Sequence, residues 1–177
     1  MSETVARHKA ESPKNLYFAV ITCSSSRYRE FSETGRLNDP SGDFIVKVLE
    51  SKGHRITLRR IVSDDKSQIQ RLVLRALNSR KTDAIVTSGG TGISPTDVTI
   101  EAVQPLLDRE IPGFGELFRT ISYDKIGSAA VLTRAIAGIA MGKVIFCLPG
   151  SPQSVSLALE ELILPEAGHI LKHAREK

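Results

Sequence analysis

Tryptophan is absent from the 177-residue chain, and Phe, Tyr and Trp together make up only 5% of it. A base-stacking platform for single-stranded nucleic acid needs an array of aromatic faces, so that class is disfavoured. No apolar run approaches the roughly 18 residues of a membrane-spanning helix. Cysteine is scarce as well: Cys23 and Cys147 stand far apart and in no C-x-x-C pair. They offer no zinc-ligand spacing and read as small buried residues near strand ends, with a disulfide between them left open. The N-terminal "MSETVARHKAESPKN" lacks the apolar core of a secretory signal and reads as a flexible arm over residues 1–14, ahead of one domain over 15–177. The expected location is the cytoplasm. The four histidines fall outside every glycine-rich loop, and no Ser-His-Asp or Cys-His constellation is in view. The net charge of +4 favours anionic partners, but the basic residues are scattered and do not single out nucleic acid.

What is present is a βα alternation. "LYFAVIT" (16–22), "RITLRRIV" (55–62), "DAIVTS" (83–88) and "KVIFCL" (143–148) read as strands. Helical spacing joins Phe44, Ile45, Val48 and Leu49, with Gly53 as the stop. It also joins Ile69, Leu72, Val73, Ala76 and Leu77, behind Ser63, Asp64 and Asp65 as N-cap candidates. "CSSSRYREFSETGRLNDPSG" shows no apolar period and reads as a long polar loop, and "YDKIGSAAVLTRAIAGIAMG" as an irregular middle. Shorter helices are expected in "DVTIEAVQPLL" and "IPGFGELFRTIS". Ser151 and Pro152 open the last helix as N-cap and first residue, and Pro165 is expected to break or kink it. The pattern predicts a three-layer α/β fold: a mostly parallel, Rossmann-like sheet with helices on both faces. Loops after the strands then gather on one rim, where such sheets take ligands.

Three of those loops carry the chemistry. "TSGGTGISPTD" runs from a strand through bare backbone into a helix, which aims amide N–H groups at an anion. It is neither of the familiar nucleotide loops. Pro95 stands where the dinucleotide fingerprint needs its third glycine, and no Gly-Lys-Ser/Thr follows as in a P-loop. "LPGSP" is a second such turn. Asp64 and Asp97 each sit at a strand-to-helix junction, where a carboxylate serves as an N-cap. As a pair beside a phosphate loop they suit Mg²⁺, which takes one or two carboxylates together with substrate phosphates.

In that order and spacing, "TSGGTGISPTDVTIEAV", "IPGFGELFR" and "LPGSP" resemble the molybdopterin-binding family. This family comprises the molybdenum-cofactor biosynthesis B and MogA-type proteins and the G domains of plant Cnx and gephyrin. With "LTRAIAGI", the chain is most similar to the archaeal B type. The resemblance covers about residues 14–170. It implies adenylylation of molybdopterin by Mg-ATP, with release of pyrophosphate, ahead of molybdate or tungstate insertion. It implies Gly89, Gly90, Thr91 and Gly92 as the nucleotide and pterin phosphate loop, and Asp64 and Asp97 as the catalytic, metal-holding carboxylates. Glu116, Arg119, Gly150, Ser151 and Pro152 are implied as binding residues, and Ser25, Ser26 and Arg27 as first-loop contacts. A homotrimer or hexamer, and a downstream metal-insertion partner, follow from the same resemblance. Thr96 departs from the pattern, because many members carry arginine there. A non-catalytic molybdopterin-binding scaffold is therefore the alternative.

Overall fold

The computed structural model describes residue 7 and residues 9–176. In chain order they form β1 (Tyr17–Cys23), α1 (Ser25–Thr34), α2 (Pro40–Ser51), β2 (Arg55–Val62), α3 (Lys66–Leu77), β3 (Ala84–Ser88) and α4 (Thr99–Val103). There follow β4 (Arg109–Glu110), α5 (Pro112–Ile126), β5 (Ile136–Ala140), β6 (Lys143–Leu148), α6 (Pro152–Ala158) and α7 (Leu164–Arg175). One six-stranded sheet runs in the order β2-β1-β3-β6-β5-β4. β2, β1, β3 and β6 are parallel, β5 pairs antiparallel with β6, and β4 pairs antiparallel with β5.

Successive strand residues point to opposite faces, and the sequence supplies apolar side chains to both. Phe18, Val20, Val86, Phe146 and Leu148 pack under α2, α5, α6 and α7 through Ile45, Phe118, Val155 and Leu171. Ala19, Ile21, Ile85 and Ile145 face α3 and α4 through Ile69, Val73, Ala102 and Val103. Three layers result, as the βα alternation predicts. Phe18, Phe118 and Phe146 are fully buried, and each stabilises the fold by roughly 1.5–3 kcal/mol relative to exposure.

The structure corrects the sequence reading in three places. Half of the stretch expected as a long loop is helix α1. Ser24 caps it by accepting the Arg27 amide, and Gly35, at φ 68°, ends it. None of its residues is buried, so it has no apolar stripe for periodicity to detect. The irregular middle contains β5, whose Ile-Ala-Gly-Ile-Ala composition is poor in strand formers. Pro165 does not end the last helix. The chain widens into a π turn over Leu159–Ile163 and continues, with Pro165 in the first turn of α7. Widening accommodates the carbonyl that loses its usual donor at a proline.

Residues 1–6 and 8 of the expected arm lie outside the described residues. Nearer the domain, Lys9 pairs with Glu166, and Lys172 Nζ donates to Glu11 Oε2 at 2.6 Å. Cys23 and Cys147 are buried free thiols on strands separated by β3, and burial pushes both up to about 12. Among the described residues no helix is long and apolar enough to cross a membrane.

His54 ties β1 to the turn before β2. Its Nδ1 accepts the Leu16 amide at 3.1 Å, and its ring meets Phe18 edge-on at 5.1 Å. Burial pushes this imidazole below its ordinary value of 6.5. As pH falls through 6.5, the unfolded chain takes up the proton first, so stability declines until the folded value is passed. Thermal unfolding is expected at a lower temperature at pH 5.5 than at pH 7.5. His54→Asn, which keeps an acceptor for the Leu16 amide, should flatten that slope. An unchanged slope would exclude His54 as its source.

Candidate functional site

β1, β2, β3 and β6 all end on one rim, and a cleft of about 390 Å³ opens between the loops that leave them. Its lining includes Ser24, Arg27, Asp64, Gly89, Gly90, Thr91, Gly92, Asp97 and Gly150. The glycine loop is pinned from below. The Gly89 amide donates to Leu148 O at 2.9 Å, Thr99 Oγ1 donates to Gly89 O at 2.8 Å, and the Thr99 amide to Gly90 O at 2.9 Å. These bonds hold the carbonyls inward. Among the described residues, the amides of Gly90, Thr91 and Gly92 donate to no acceptor within the chain. A rigid loop with amides free to donate suits an anion.

Two carboxylates lean on this loop. A Cβ at Gly90 would lie 3.2 Å from Asp64 Oδ1, and one at Gly92 would lie 2.7 Å from Asp97 Oδ2. Asp64 does not cap the following helix, because Asp65 does so by accepting the Gln68 amide at 2.8 Å. Instead Asp64 is oriented by Ser25. The Ser25 amide donates to Asp64 Oδ2 at 2.8 Å, and the Asp64 amide donates to Ser25 Oγ at 3.0 Å. Asp97 leaves α4 uncapped and accepts the Ser94 amide at 2.9 Å. Both acids are thus released from helix capping and held at the cleft. Arg27 is the one cationic side chain in the lining, against the acids Asp64 and Asp97. That formal deficit of positive charge suits a site completed by a hard divalent cation with oxygen ligands.

The other expected residues are distributed more widely. Ser26 follows Ser25 in the first turn of α1, with its hydroxyl 3.3 Å from Ser24 Oγ. Ser151 caps α6 by accepting the Ser154 amide at 3.2 Å, and Pro152 is the first residue of that helix. Glu116 and Arg119 lie on α5, outside the lining of the cleft. Arg119 borders a separate groove with Tyr123 and Val131. Thr96 sits at the exposed loop tip, its hydroxyl 2.9 Å from Ser94 Oγ.

Sequence reasoning missed Arg134. Its guanidinium donates to Thr91 O and Asp97 O, each at 3.3 Å, and pairs with Glu101 through Nη1 at 2.6 Å. One side chain therefore fixes both the glycine loop and the Asp97 backbone. Donation from Arg134 holds the Glu101 carboxyl below its usual range. No local pattern announces this role, because the contacts cross more than 30 residues of chain. Ser41 was also missed. Its hydroxyl donates to Gly150 O at 2.8 Å and ties α2 to the second turn.

Amides and carboxylates gathered at the carboxyl ends of parallel strands mark a doubly wound α/β protein that binds anionic ligands. Within that class the chain belongs to the molybdopterin-binding domain family: residues 19–169 match the model described as a probable molybdopterin binding domain. The molybdenum cofactor biosynthesis protein B of Bacillus cereus is 48% identical over 168 residues, 94% of this chain and 95% of the relative. The molybdopterin adenylyltransferase of Pyrococcus furiosus is 44% identical, covering 97% of this chain and 99% of the relative. A crystal structure of a molybdenum cofactor biosynthesis protein B superposes with a TM-score of 0.85 at 46% identity, over 94% of this chain and all of that one. The tungsten cofactor synthesizing protein MoaB from Pyrococcus furiosus gives a TM-score of 0.82 at 44% identity, over 93% and 100%. The family resemblance read from the motifs is borne out.

Proposed function

We propose that the protein transfers the adenylyl group of ATP to the phosphate of molybdopterin, releasing pyrophosphate, in the assembly of a molybdenum or tungsten cofactor. The observation that carries the reading is the glycine loop with Asp64 and Asp97 packed against it at the sheet rim. The full-length likeness to a relative named molybdopterin adenylyltransferase supports it.

In this reaction a phosphate oxygen of molybdopterin attacks the α-phosphorus of ATP. The bond from that phosphorus to the oxygen bridging to the β-phosphate breaks, and its electron pair leaves with pyrophosphate. A phosphate monoester has its second pKa near about 6, so the nucleophile is already anionic and needs no strong base. A cleft without histidine in its lining suits that chemistry. The task left to the protein is to hold two polyanions together. Asp64 and Asp97 would hold Mg²⁺, with Ser25 fixing Asp64 and Arg134 the Asp97 backbone. When bound, Mg²⁺ neutralises phosphate charge. The amides of Gly90, Thr91 and Gly92 orient phosphate oxygens, and Arg27 adds one positive charge. Gly150 lines the cleft, and Ser26, Ser151 and Pro152 would serve as outer contacts beside it.

Glu116 and Arg119 stand away from this centre, beside exposed Leu117, Tyr123, Ile126 and Val131. An apolar face of that kind suits association with further copies, and we assign it to a closed trimer or hexamer. The proposed setting is the cytoplasm, with the adenylylated product passed to a metal-insertion protein.

Incubation with α-labelled ATP, Mg²⁺ and molybdopterin tests the activity. Pyrophosphate and labelled adenylylated molybdopterin are the expected products. Retention of molybdopterin with no pyrophosphate would instead establish the non-catalytic binder, the reading that uncharged Thr96 at the loop tip favours.

A further inference from the structure

Beneath the cleft, a buried ion pair joins two of its walls. Asp39 caps α2 by accepting the Gly42 amide on Oδ1 at 3.1 Å. Its other oxygen, Oδ2, accepts the Thr22 hydroxyl at 2.6 Å and pairs with Arg59 Nη2. Arg59 Nη1 also donates to Thr22 Oγ1 at 3.3 Å. The Asp39 side chain is fully buried. Arg59 reaches it from β2, and Thr22 is the penultimate residue of β1.

Both carboxylate oxygens lead to the cleft, although Asp39 is not in its lining. Thr22 stands in the lining itself. Ser41, in the α2 turn that Asp39 caps, stands there too and donates to Gly150 O at 2.8 Å. Gly150 in turn rests on the glycine loop: a Cβ there would lie 3.2 Å from Gly89 Cα. One carboxylate thus sets a hydroxyl on the first wall and, through a helical turn, a support of the glycine loop.

Stability alone does not account for this arrangement. Desolvation offsets much of the attraction in a buried ion pair, and an apolar pair of similar volume often holds a core equally well. Arg59 Nε is buried with no acceptor among the described residues, which costs stability. Gly42 leaves room for the pair, because a side chain there would collide with the Arg59 guanidinium and the Asp39 carboxylate. What the ion pair supplies, and apolar packing does not, is direction: its hydrogen bonds orient a hydroxyl and an amide.

We propose that Asp39, held by Arg59, is a positioning residue of the cleft that acts through Thr22 and Ser41. Its effect on rate rests on the adenylyl-transfer reading.

The test is a coupling measurement on the full-length protein. Thr22→Val keeps the branched shape and removes the hydroxyl, whereas Thr22→Ser keeps the hydroxyl and loses the methyl. Asp39→Ser combined with Arg59→Met removes both buried charges and leaves a helix-capping serine too short to reach Thr22. Thr22→Val should fold, since Asp39 keeps Arg59 and the Gly42 amide, and unfolding temperatures check each variant. Its kcat/KM for adenylyl transfer should fall roughly ten-fold, with Thr22→Ser within about two-fold of the parent. The Asp39→Ser, Arg59→Met protein should lose at least as much, and adding Thr22→Val to it should cost nothing further. Packing alone predicts the reverse order, with Thr22→Val active and Thr22→Ser impaired. That order, losses that add in the combined variant, or full activity without Asp39 would overturn the positioning role. Should the Asp39→Ser, Arg59→Met protein not fold, the order of the two Thr22 variants decides. If the parent releases no pyrophosphate, the adenylyl-transfer reading fails by itself. Equilibrium binding of molybdopterin to the same proteins then replaces the rate, with the same order expected and equal affinities overturning the role.

Discussion

Asp97→Ala is expected to lower the rate of adenylyl transfer by at least about a hundred-fold while leaving the fold intact, as removal of a charge-stabilising group from a preorganised site does. The reasoning starts from what Asp97 does not do. It caps no helix, and its bond to the Ser94 amide belongs to an exposed loop tip, so little stability rests on it. Its carboxylate lies instead against Gly92, where a Cβ would come within 2.7 Å of it. Asp97→Asn separates the two properties of the side chain. Asparagine keeps an oxygen to accept the Ser94 amide but loses the charge that would hold Mg²⁺. If the carboxylate acts through its charge, Asn and Ala are equally inactive, and excess Mg²⁺ restores part of the activity of neither or both. If it acts through the loop bond, Asn is active and Ala is not. Pyrophosphate release measured beside thermal unfolding decides, and full activity of Asp97→Ala would remove this residue from the mechanism.

Gly89→Ala is expected to destabilise the whole protein by about 3 kcal/mol or more, through strained backbone and a clash that cannot relax. For a chain of this size that lowers the unfolding midpoint by roughly 6–12 °C. Gly89 has φ +99°, outside the range an L side chain tolerates. Its added methyl would lie 2.2 Å from the carbonyl oxygen of Cys23. That oxygen belongs to β1, inside the parallel sheet, and has no flexible end that can swing away. Gly113→Ala is the control. It has open space around it and lies in the first turn of α5, where alanine is a better helix former. Gly113→Ala should unfold at or slightly above the parent temperature. A Gly89→Ala protein that unfolds at the parent temperature would mean the loop relaxes freely.

The contrast between these glycines shows what sequence conveys and what it withholds. Three strands of the parallel core, β1, β3 and β6, were legible because each is a compact apolar run buried on both faces of the sheet, whereas β2, mostly half-buried at the sheet edge, was legible from its alternation. The glycine loop and its neighbouring acids were legible because loop chemistry at a strand end is local. α1 was not, because a helix with no buried residue leaves no periodic trace. β5 was not, because alanine and glycine become strand only where β6 offers them partners. Arg134 was hidden for a third reason. Its partners Thr91, Asp97 and Glu101 are remote in sequence, and only the folded sheet brings them within reach. Asp64 and Asp65 show the limit at its finest. The two adjacent acids read alike, and the structure assigns one to the helix and the other to the cleft.

Helix α1 buries none of its residues in the core. Secured by its Ser24 cap and the Ser25–Asp64 exchange of bonds rather than by core packing, it can unravel at small free-energy cost while the sheet stays intact. Its amide hydrogens should therefore exchange with solvent long before those of β1. Because Ser24 and Arg27 line the cleft, loosening of this segment would slacken one wall of the cleft and leave the strands behind it in place.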